Sequence, residues 1–321
     1  MISVFAQRCD FDDPVSAVAI GEQPEPEVPD GWTTVSIKAA GLNWHDLWTL
    51  RGVGMWPVTP PTILGVEGAG SLDDGTNVVL YPVLTDSAWR GDETLDPDRH
   101  TLSEKLPGTF ADHVAVPRRN VLPLPPELTH VEASVLGTAW LTAYRLLFTK
   151  SGISPGDTML VQGSSGGVAT ALIQLGRAAG MQVWTTGRSP EKRELAERIG
   201  AHRTFAANEQ LPTKVDAVFD TAGAATWAHS MASVRPGGTL LSCGATTGAT
   251  PPSDLRTLFR DQITVRGSYL GTRTEMINLI SFIRIAGIKP LIGKVIPMDT
   301  AVDGFNDMWH SRTLGKIVFT R

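Results

Sequence analysis

The chain contains little cysteine, with only Cys9 and Cys243 among its 321 residues. Two thiols supply neither a disulfide framework nor the four thiolates of a structural zinc site. Any bound metal would therefore have to rely on histidine and carboxylate ligands.

The sequence also lacks a cluster of positive charge and a long apolar segment. Its formal net charge is -5 and no run of lysine and arginine occurs, which argues against binding to the phosphate backbone of nucleic acid. The segment after Met1 does not resemble a secretory signal, and no run of about 18 apolar residues could span a bilayer. We therefore expect a soluble, cytoplasmic protein with neither nucleic-acid nor membrane partners.

Apolar sequence is abundant, since 42% of the residues are hydrophobic, and the length indicates two domains. Short β segments broken by glycine and proline dominate residues 1 to about 125, which predicts a compact, barrel-like β domain. The predicted strands of this domain are Met1–Gln7, Thr33–Ala39, Asn77–Val83 and Ala111–Val116. Residues 86–107 are polar and aperiodic, so we expect a surface loop there that forms a lobe or a lid.

Beyond Thr129 the pattern changes to alternating helices and strands, starting with helical spacing at His130–Leu136 and Trp140–Phe148. The predicted strands are Thr158–Val161, Gln182–Thr186, Ala217–Asp220, Gly238–Ser242 and Ile263–Gly267, and the helices between and around them are Val168–Ala179, Pro190–Ile199, Ala225–Val234 and Ser253–Arg260. This alternation predicts a doubly wound parallel sheet. The tail returns to β character, with a helix at Ala301–Ser311 and a last strand, Lys316–Phe319, that should rejoin the first domain.

A glycine-rich turn joins the first predicted strand of this sheet to its first helix. Glycines there let a phosphate approach the backbone, and the helix N-terminus beyond offers free N–H groups and the positive end of a dipole. The turn therefore predicts a pyrophosphate site. The expected contacts are Gly163, Ser164, Ser165, Gly166, Gly167 and Val168.

The end of the second predicted strand indicates which dinucleotide is bound. NAD usually requires an acidic residue there for the ribose hydroxyl, whereas a 2′-phosphate requires a cation. The strand ends in Gly187, Arg188 and Ser189, with Lys192 shortly after and no acid at the strand end. Because a guanidinium binds phosphate through two parallel N–H groups, we expect NADP(H). The alternative is that Arg188 and Lys192 are solvated charges at the start of a helix.

Several motifs occur in one order and together resemble the medium-chain dehydrogenase/reductase superfamily over nearly the whole chain. They are residues 41–47 (GLNWHDL), Arg51-Gly52, residues 61–70 (PTILGVEGAG), residues 108–113 (GTFADH), residues 137–144 (GTAWLTAY), the turn at 163–169 and the closing residues 315–318 (GKIV). The resemblance implies an α/β fold with a GroES-like, β-barrel-type catalytic domain at residues 1–122 and 288–321. It further implies a Rossmann NADP(H)-binding domain, a doubly wound parallel sheet, at residues 123–287, and commonly a dimer.

Within that superfamily the zinc alcohol dehydrogenases carry Cys, His and Cys where Asn43, Val66 and Thr138 stand here. The lobe that holds four structural cysteines in those enzymes corresponds to residues 86–107, which have none. Such a set cannot form a tetrahedral zinc site, so we expect no metal. The chain resembles instead the zinc-free, quinone-oxidoreductase-like branch, whose members reduce quinones or activated double bonds with NADPH.

The resemblance also implies the residues around the nicotinamide, which we expect in the cleft between the two domains. Asn43 is the expected orienting donor to cofactor or substrate, and His45 stands where the zinc enzymes begin a proton relay, so it is the expected proton donor. A structural histidine is the alternative for His45. The other expected cofactor contacts are Thr138, Gly244, Tyr269, Leu270 and Lys316, the last with an ordinary solvated lysine as its alternative.

The function expected from these observations is hydride transfer from NADPH to a small, apolar, conjugated substrate such as a quinone, enone or enal. Without a metal to polarise it, an unactivated ketone lacks a Lewis acid, whereas a conjugated acceptor needs only hydrogen-bond donors and a proton. The alternatives are a zinc-independent alcohol or aldehyde dehydrogenase and a non-catalytic NADPH-binding protein with a structural or regulatory role.

Overall fold

A computed structural model describes residues 1–321 as a chain of short strands and helices. The strands are β1 (Ile2–Ala6), β2 (Val18–Glu22), β3 (Trp32–Gly41), β4 (Thr62–Ile63), β5 (Glu67–Ser71), β6 (Asn77–Leu80), β7 (Val83–Leu84), β8 (His100–Thr101), β9 (His113–Pro117), β10 (Val121–Pro123), β11 (Thr158–Gln162), β12 (Gln182–Gly187), β13 (Arg203–Ala206), β14 (Val215–Asp220), β15 (Val234–Ser242), β16 (Thr264–Gly267), β17 (Ile292–Pro297) and β18 (Lys316–Thr320). The helices are α1 (Trp44–Arg51), α2 (His130–Ala133), α3 (Leu141–Tyr144), α4 (Gly167–Ala178), α5 (Pro190–Arg198), α6 (Ala224–Ser233), α7 (Leu255–Arg260), α8 (Arg273–Ala286) and α9 (Ala301–Trp309).

The contacts within the chain define two units. The first comprises Met1–Ala139 and Gly271–Arg321, and the second comprises Trp140–Leu270. The boundaries expected from the sequence, after residues 122 and 287, both fall inside the first unit. Helix α2 packs on strands β3 and β5, and Tyr81 donates a hydrogen bond to the Gly271 carbonyl (3.0 Å). These contacts assign residues 123–139 and 271–287 to the first unit.

The first unit is built around a seven-stranded sheet in the order β10-β6-β5-β3-β18-β17, with β9 paired to the first half of β3. Strand β18 runs antiparallel to β3, so the last strand rejoins the first domain as predicted. On β3, Gly41 pairs with Val318 on one side and with Glu67 on the other. These two registers bring the beginnings of β5 and β18 to the end of β3, where α1 follows.

An aromatic cluster forms part of the core below this sheet. The rings of Phe110 and Phe319 meet edge to face, with centroids 5.0 Å apart, and Phe305 of α9 packs against both. All three side chains are fully buried. Burial of rings of this size supplies much of the stabilisation of such a core, because apolar area is removed from water.

Residues 86–107 differ in part from the predicted surface loop. The beginning is exposed, and its turns are closed by aspartates such as Asp96, which accepts the Asp86 N–H (2.8 Å). The end is fixed: β8 pairs with β7, and residues 101–104 are buried. One of these buried residues is the carboxylate Glu104. The segment therefore ends in a buried turn that carries a charge.

The second unit contains a six-stranded sheet in the order β13-β12-β11-β14-β15-β16, in which every neighbouring pair is parallel. This is the order of a dinucleotide-binding Rossmann sheet, and its switch point lies between β11 and β14. The predicted fold class, a GroES-like β domain with a doubly wound parallel sheet, is confirmed. Strand β13 was not among the predicted strands, because it is short and mostly exposed.

Helix α8 is the longest element that the sequence analysis did not place. Its signals are present: Thr272 and Glu275 form a capping box, and Met276, Leu279, Ile280 and Ile283 lie at helical spacing and are buried. Across the whole structure, no helix is long and apolar enough to cross a membrane.

Candidate functional site

Four chain segments of the first unit meet at a buried polar cluster formed by Asn43, Glu67, Thr138 and Lys316. Asn43 directly precedes α1, Glu67 is the first residue of β5, and Lys316 is the first residue of β18. The strand registers around Gly41 explain why these positions coincide.

Lys316 and Glu67 form the charged centre of this cluster. The Nζ atom of Lys316 lies 2.7 Å from Oε1 of Glu67, and the two side chains are 3% and 0% exposed. Nζ also donates to the Leu42 carbonyl (2.6 Å) and to Oδ1 of Asn43 (2.8 Å). The ammonium group has three N–H donors, and all three are used. The three donors are directed to the interior of the first unit, and the expected contact of Lys316 with the cofactor stays a prediction.

Asn43 is held between the two charges. Its Nδ2 atom donates to the Gly41 carbonyl (3.0 Å) and to Oε1 of Glu67 (2.9 Å), while its Oδ1 atom accepts from Lys316. A flipped amide would bring N–H groups against the ammonium, so the partners determine the orientation. Both N–H groups have partners within the first unit, so Asn43 links Lys316 to Glu67, and its expected role as an orienting donor stays a prediction.

Gly41 is required by this packing. A Cβ atom at residue 41 would stand 2.5 Å from Oε1 of Glu67, which is closer than such contacts allow. Glycine at the end of β3 therefore lets the carboxylate lie against the strand backbone and reach both Asn43 and Lys316.

Asp46 fixes the start of α1 beside the cluster. Its carboxylate accepts the Asn43 N–H (2.9 Å) and the Gly65 N–H (2.9 Å). Burial raises the pKa of Asp46 to about 6, although the positive charges of His45 and Lys316 and the two N–H donors lower it. The role of Asp46 is to join the first turn of the helix to the segment that precedes β5.

Thr138 presents a hydroxyl without a partner. Its backbone N–H donates to Oε2 of Glu67 (2.6 Å), which fixes the residue. Its Oγ1 atom is buried and has no hydrogen-bond partner within the chain. Since buried hydroxyls are nearly always paired, this atom is available to a bound ligand.

His45 follows Asn43 and contacts a carboxylate that sequence reasoning did not identify. Its Nε2 atom lies 3.1 Å from Oε1 of Glu104, and its Nδ1 atom is buried without a partner. Burial would raise the pKa of Glu104, but the hydrogen bond and charge of His45 and the Thr101 N–H outweigh it, so the pKa lies below its usual value. No sequence motif points to Glu104, because it is 59 residues away from His45.

The glycine-rich turn of the second unit has the features of a phosphate cradle. Gly163 has a φ of +94°, and neither Gly163 nor Gly166 has an atom within 4 Å of the place where a Cβ would stand. Gly166 precedes α4 and provides no side-chain cap, so the first N–H groups of the helix, from Gly167 and Val168 onward, lack a side-chain acceptor. Oγ of Ser164 is buried without a partner. These residues fit a pyrophosphate group.

Two polar side chains that sequence reasoning missed hold the glycine-rich turn through hydrogen bonds. Thr186 accepts the Gly163 N–H (3.2 Å) and donates to Oε1 of Gln162 (2.8 Å), and Gln162 donates to Ser230 (3.0 Å). These bonds link the ends of β11 and β12 to α6. The position of the Gly163 N–H is therefore fixed before any ligand binds.

The end of β12 presents two neighbouring cations. Arg188 is exposed, and Ser189 caps α5 by accepting the Lys192 N–H (3.4 Å). Partial burial and the positive charge of Arg188 lower the pKa of Lys192, against a smaller opposing effect of Glu191. An anion between Arg188 and Lys192 would relieve this repulsion. Gly187 lies beside the turn, since a Cβ there would stand 2.6 Å from Oγ of Ser164.

The remaining predicted cofactor residues lie after β15 and β16. A Cβ on Gly244 would collide with the Thr221 carbonyl. Leu270 has a φ of +42°, and Ser268, two residues earlier, has a buried hydroxyl without a partner. Tyr269 is half-buried between them. Strained residues with unsatisfied polar groups concentrate at ligand sites, which fits the predicted role of this segment.

A Rossmann sheet with an uncapped glycine turn in one unit and a GroES-like β sheet in the other are together typical of a nicotinamide-dependent oxidoreductase. Two families match the chain: the alcohol dehydrogenase GroES-like domain at residues 29–126 and the zinc-binding dehydrogenase domain at residues 167–284. The chain belongs to the medium-chain dehydrogenase/reductase superfamily, as its motifs predict.

Relatives with different activities resemble the chain over most of its length. A zinc-type alcohol dehydrogenase-like protein of Schizosaccharomyces pombe is 27% identical over 92% of this chain and 93% of its own. A crotonyl-CoA reductase of Streptomyces collinus is 25% identical over 95% of this chain and 82% of its own. The crystal structure of an NAD-dependent alcohol dehydrogenase matches with a TM-score of 0.92 and 26% identity over 100% of both chains.

The buried pair of Lys316 and Glu67 should contribute to the stability of the folded protein. Lys316→Met leaves the Glu67 carboxylate buried without its counter-charge, and we expect the free energy of unfolding to fall by about 3–5 kcal/mol. Adding Glu67→Gln should restore part of the loss, since no charge then remains buried. Urea denaturation measures both. Arg235→Met, which breaks the surface pair with Asp216, is the control and should cost about 1 kcal/mol or less. Equal losses for Lys316→Met and Arg235→Met would contradict the stabilising role.

Proposed function

We propose that the protein is an NADPH-dependent reductase that transfers a hydride to a quinone or another conjugated carbonyl compound without a metal. The observation that carries this proposal is the composition of the buried polar cluster. The ligand positions of the zinc enzymes hold Asn43, Val66 and Thr138, and the ammonium group of Lys316 lies at the centre of the cluster.

The cluster does not fit a zinc ion. Zinc takes thiolate, imidazole or carboxylate ligands, and no group of three or more such side chains in the chain could hold a metal. Glu67, the single carboxylate of the cluster, is already occupied by Lys316, Asn43 and the Thr138 N–H. A fixed ammonium within hydrogen-bond distance of that carboxylate would repel a second cation. We therefore derive no step through a metal.

The unpartnered polar atoms suit a conjugated acceptor. When bound, the reduced nicotinamide supplies a hydride, which adds to the carbon at the end of the conjugated system and moves negative charge to the carbonyl oxygen. The hydroxyl of Thr138 is the donor that the cluster leaves free for a ligand. His45 is the group that can hold and deliver the proton required to complete the reduction.

The cation pair supports NADPH as the cofactor. The positive charges of Arg188 and Lys192 repel each other, and the negative charge of a 2′-phosphate would offset that repulsion. In addition, β12 does not end in an acidic residue that could bind a ribose hydroxyl. Among the relatives, the crotonyl-CoA reductase is named for a conjugated substrate and supports the enone class. The relatives named alcohol dehydrogenase, one of them 28% identical over 94% of this chain, keep a zinc-independent alcohol or aldehyde dehydrogenase as the second candidate.

We further propose a homodimer in the cytoplasm. Strand β16 is an edge of the second sheet, and all four of its residues are exposed. The preceding helix α7 exposes Leu255 and Phe259 at 67% and 72%. An unpaired edge next to exposed apolar side chains is suited to pairing with a second copy. The free thiols of Cys9 and Cys243 are compatible with a reducing compartment.

A turnover screen tests the proposed function. We expect purified protein to oxidise NADPH with quinones, enones or enals as acceptors, and to keep that activity after treatment with a strong zinc chelator. Loss of activity with the chelator and its return with zinc would contradict the metal-free proposal. Tight NADPH binding without turnover on any quinone, enone or aldehyde would instead select the non-catalytic alternative.

A charge substitution tests cofactor selection. Arg188→Ala removes a charge-assisted contact, and we expect kcat/KM for NADPH to fall by roughly 10- to 100-fold while the value for NADH is little changed. Arg198→Ala, at the other end of α5, is the matched control and should leave the NADPH preference intact. A preference for NADH in the wild-type protein would overturn the NADP(H) assignment.

Edge substitutions test the dimer. Val265→Asp on β16 places a charge on the proposed interface, and we expect sedimentation to show dissociation into monomers. Val295→Asp introduces the same charge on β17, the edge of the other sheet, where the valine is 50% exposed. Dissociation by Val295→Asp alone would place the interface on the first unit instead.

A further inference from the structure

Glu104 is a buried carboxylate that the proposed reaction has not yet used. It lies in the last turn of residues 86–107 and is 6% exposed. Its Oε2 atom accepts the Thr101 N–H (2.7 Å), and its Oε1 atom faces Nε2 of His45 at 3.1 Å. Removing a carboxylate from water is costly unless its hydrogen bonds are made. The chain therefore supports this charge with two directed contacts.

The contact with Glu104 determines where His45 carries its proton. An ionised carboxylate can only accept hydrogen bonds, so Nε2 must be the N–H donor. The hydroxyl of Thr101, at 3.5 Å from Nε2, does not change this assignment. Nδ1 is then either a free lone pair or, in the charged ring, a second N–H group. That atom is the one the structure leaves buried and without a partner.

The turn that presents Glu104 is strained. Ser103, the residue before it, has a φ of +69°, is fully buried and has a hydroxyl without a partner. A non-glycine residue rarely adopts this conformation, and it persists only where the surroundings impose it. The Ser103 N–H is bonded to the Leu106 carbonyl (2.9 Å), which closes the turn. The strain is thus an observation independent of the His45 contact.

Few other charges act on His45. Asp46, on the same helix, interacts with it through space. Of the elements packed against α1, Pro14–Ala17 has no titratable side chain. Helix α9 carries Asp303, which is exposed, and Asp307, which is paired with Lys294 and Arg312. Glu104 is the carboxylate in direct contact with the ring.

We propose that Glu104 is a positioning residue: by accepting the Nε2 proton of His45, it keeps a transferable proton on Nδ1 for the substrate. This inference rests on the proposed reductase function. A hydride from a reduced nicotinamide, which would be oxidised by this loss, forms a C–H bond at one end of the conjugated system, and the π electrons shift toward the carbonyl oxygen. The Nδ1 proton then bonds to that anion, which leaves a neutral ring whose Nε2–H still donates a hydrogen bond to Glu104, and water restores the Nδ1 proton.

The proton position can be measured without any substrate. Two-bond 1H–15N spectra of the histidine rings, with His45→Asn to assign the signal, should show Nε2 of His45 as the protonated nitrogen of the neutral ring. In Glu104→Gln the amide oxygen must face the Thr101 N–H, so its NH2 group faces Nε2. The neutral ring should then carry its proton on Nδ1. Unchanged ring signals in Glu104→Gln would overturn the positioning role.

Steady-state kinetics with the acceptor found in the turnover screen are the second test of the proposal, after the NMR measurement. We expect Glu104→Gln to lower kcat by roughly 10- to 100-fold with little change in KM for NADPH, and to shift the alkaline limb of the pH profile of kcat to lower pH. Glu104→Asp keeps the charge and should recover part of the rate. Glu93→Gln removes another carboxylate from residues 86–107, one paired with Arg119, and should behave as the wild type.

The two arms separate the possible failures. Suppose that the wild-type protein reduces no acceptor but Glu104→Gln moves the ring proton. The contact between Glu104 and His45 is then verified, whereas the proposed function is wrong, and so is the assignment of Nδ1 as the proton source. If the proton moves and both kcat and its pH profile stay unchanged, Nδ1 does not deliver the proton and the inference is wrong. If Glu104→Gln does not fold, the ring signal of the wild-type protein and the kcat of Glu104→Asp still test the positioning role of Glu104.

Discussion

The buried pair of Lys316 and Glu67 is the interaction on which the first unit depends. It joins residues 249 positions apart in sequence and ties the last strand to the end of β3. A pair this deeply buried is costly to desolvate, and each charge is tolerated only because the other is present. The surrounding carbonyls and the amide of Asn43 satisfy the remaining donors, so the pair also fixes the start of α1.

That arrangement has a chemical consequence for the candidate site. Because the N–H groups of the Asn43 amide and of the Lys316 ammonium all have internal partners, neither side chain has a donor left for a ligand. The polar atoms left over are the hydroxyl of Thr138 and Nδ1 of His45. A reaction that needs one hydrogen-bond donor and one proton, as the reduction of a conjugated carbonyl does, is compatible with what remains.

The conformation of the glycine-rich turn at residues 163–166 was predictable because its parts are local. A strand, a glycine turn and a helix are contiguous in the chain, so the order of residue types specifies both the conformation and the exposed N–H groups. Arg188 could be identified for the same reason, since it ends the next strand. The hydrogen bonds by which Gln162 and Thr186 hold this turn could not be predicted from the sequence, because their contact depends on β11 and β12 lying side by side.

The sequence by itself determined the fold class, the superfamily, the glycine-rich turn before α4 and the cation that follows β12, since each is specified by the composition and order of nearby residues. Only the tertiary structure decided the roles of side chains that meet across long separations. It placed the ammonium of Lys316 against Glu67, placed Asn43 between the two charges, and placed Glu104 against His45. Strand register and loop packing, which no local pattern encodes, bring these atoms within hydrogen-bond distance.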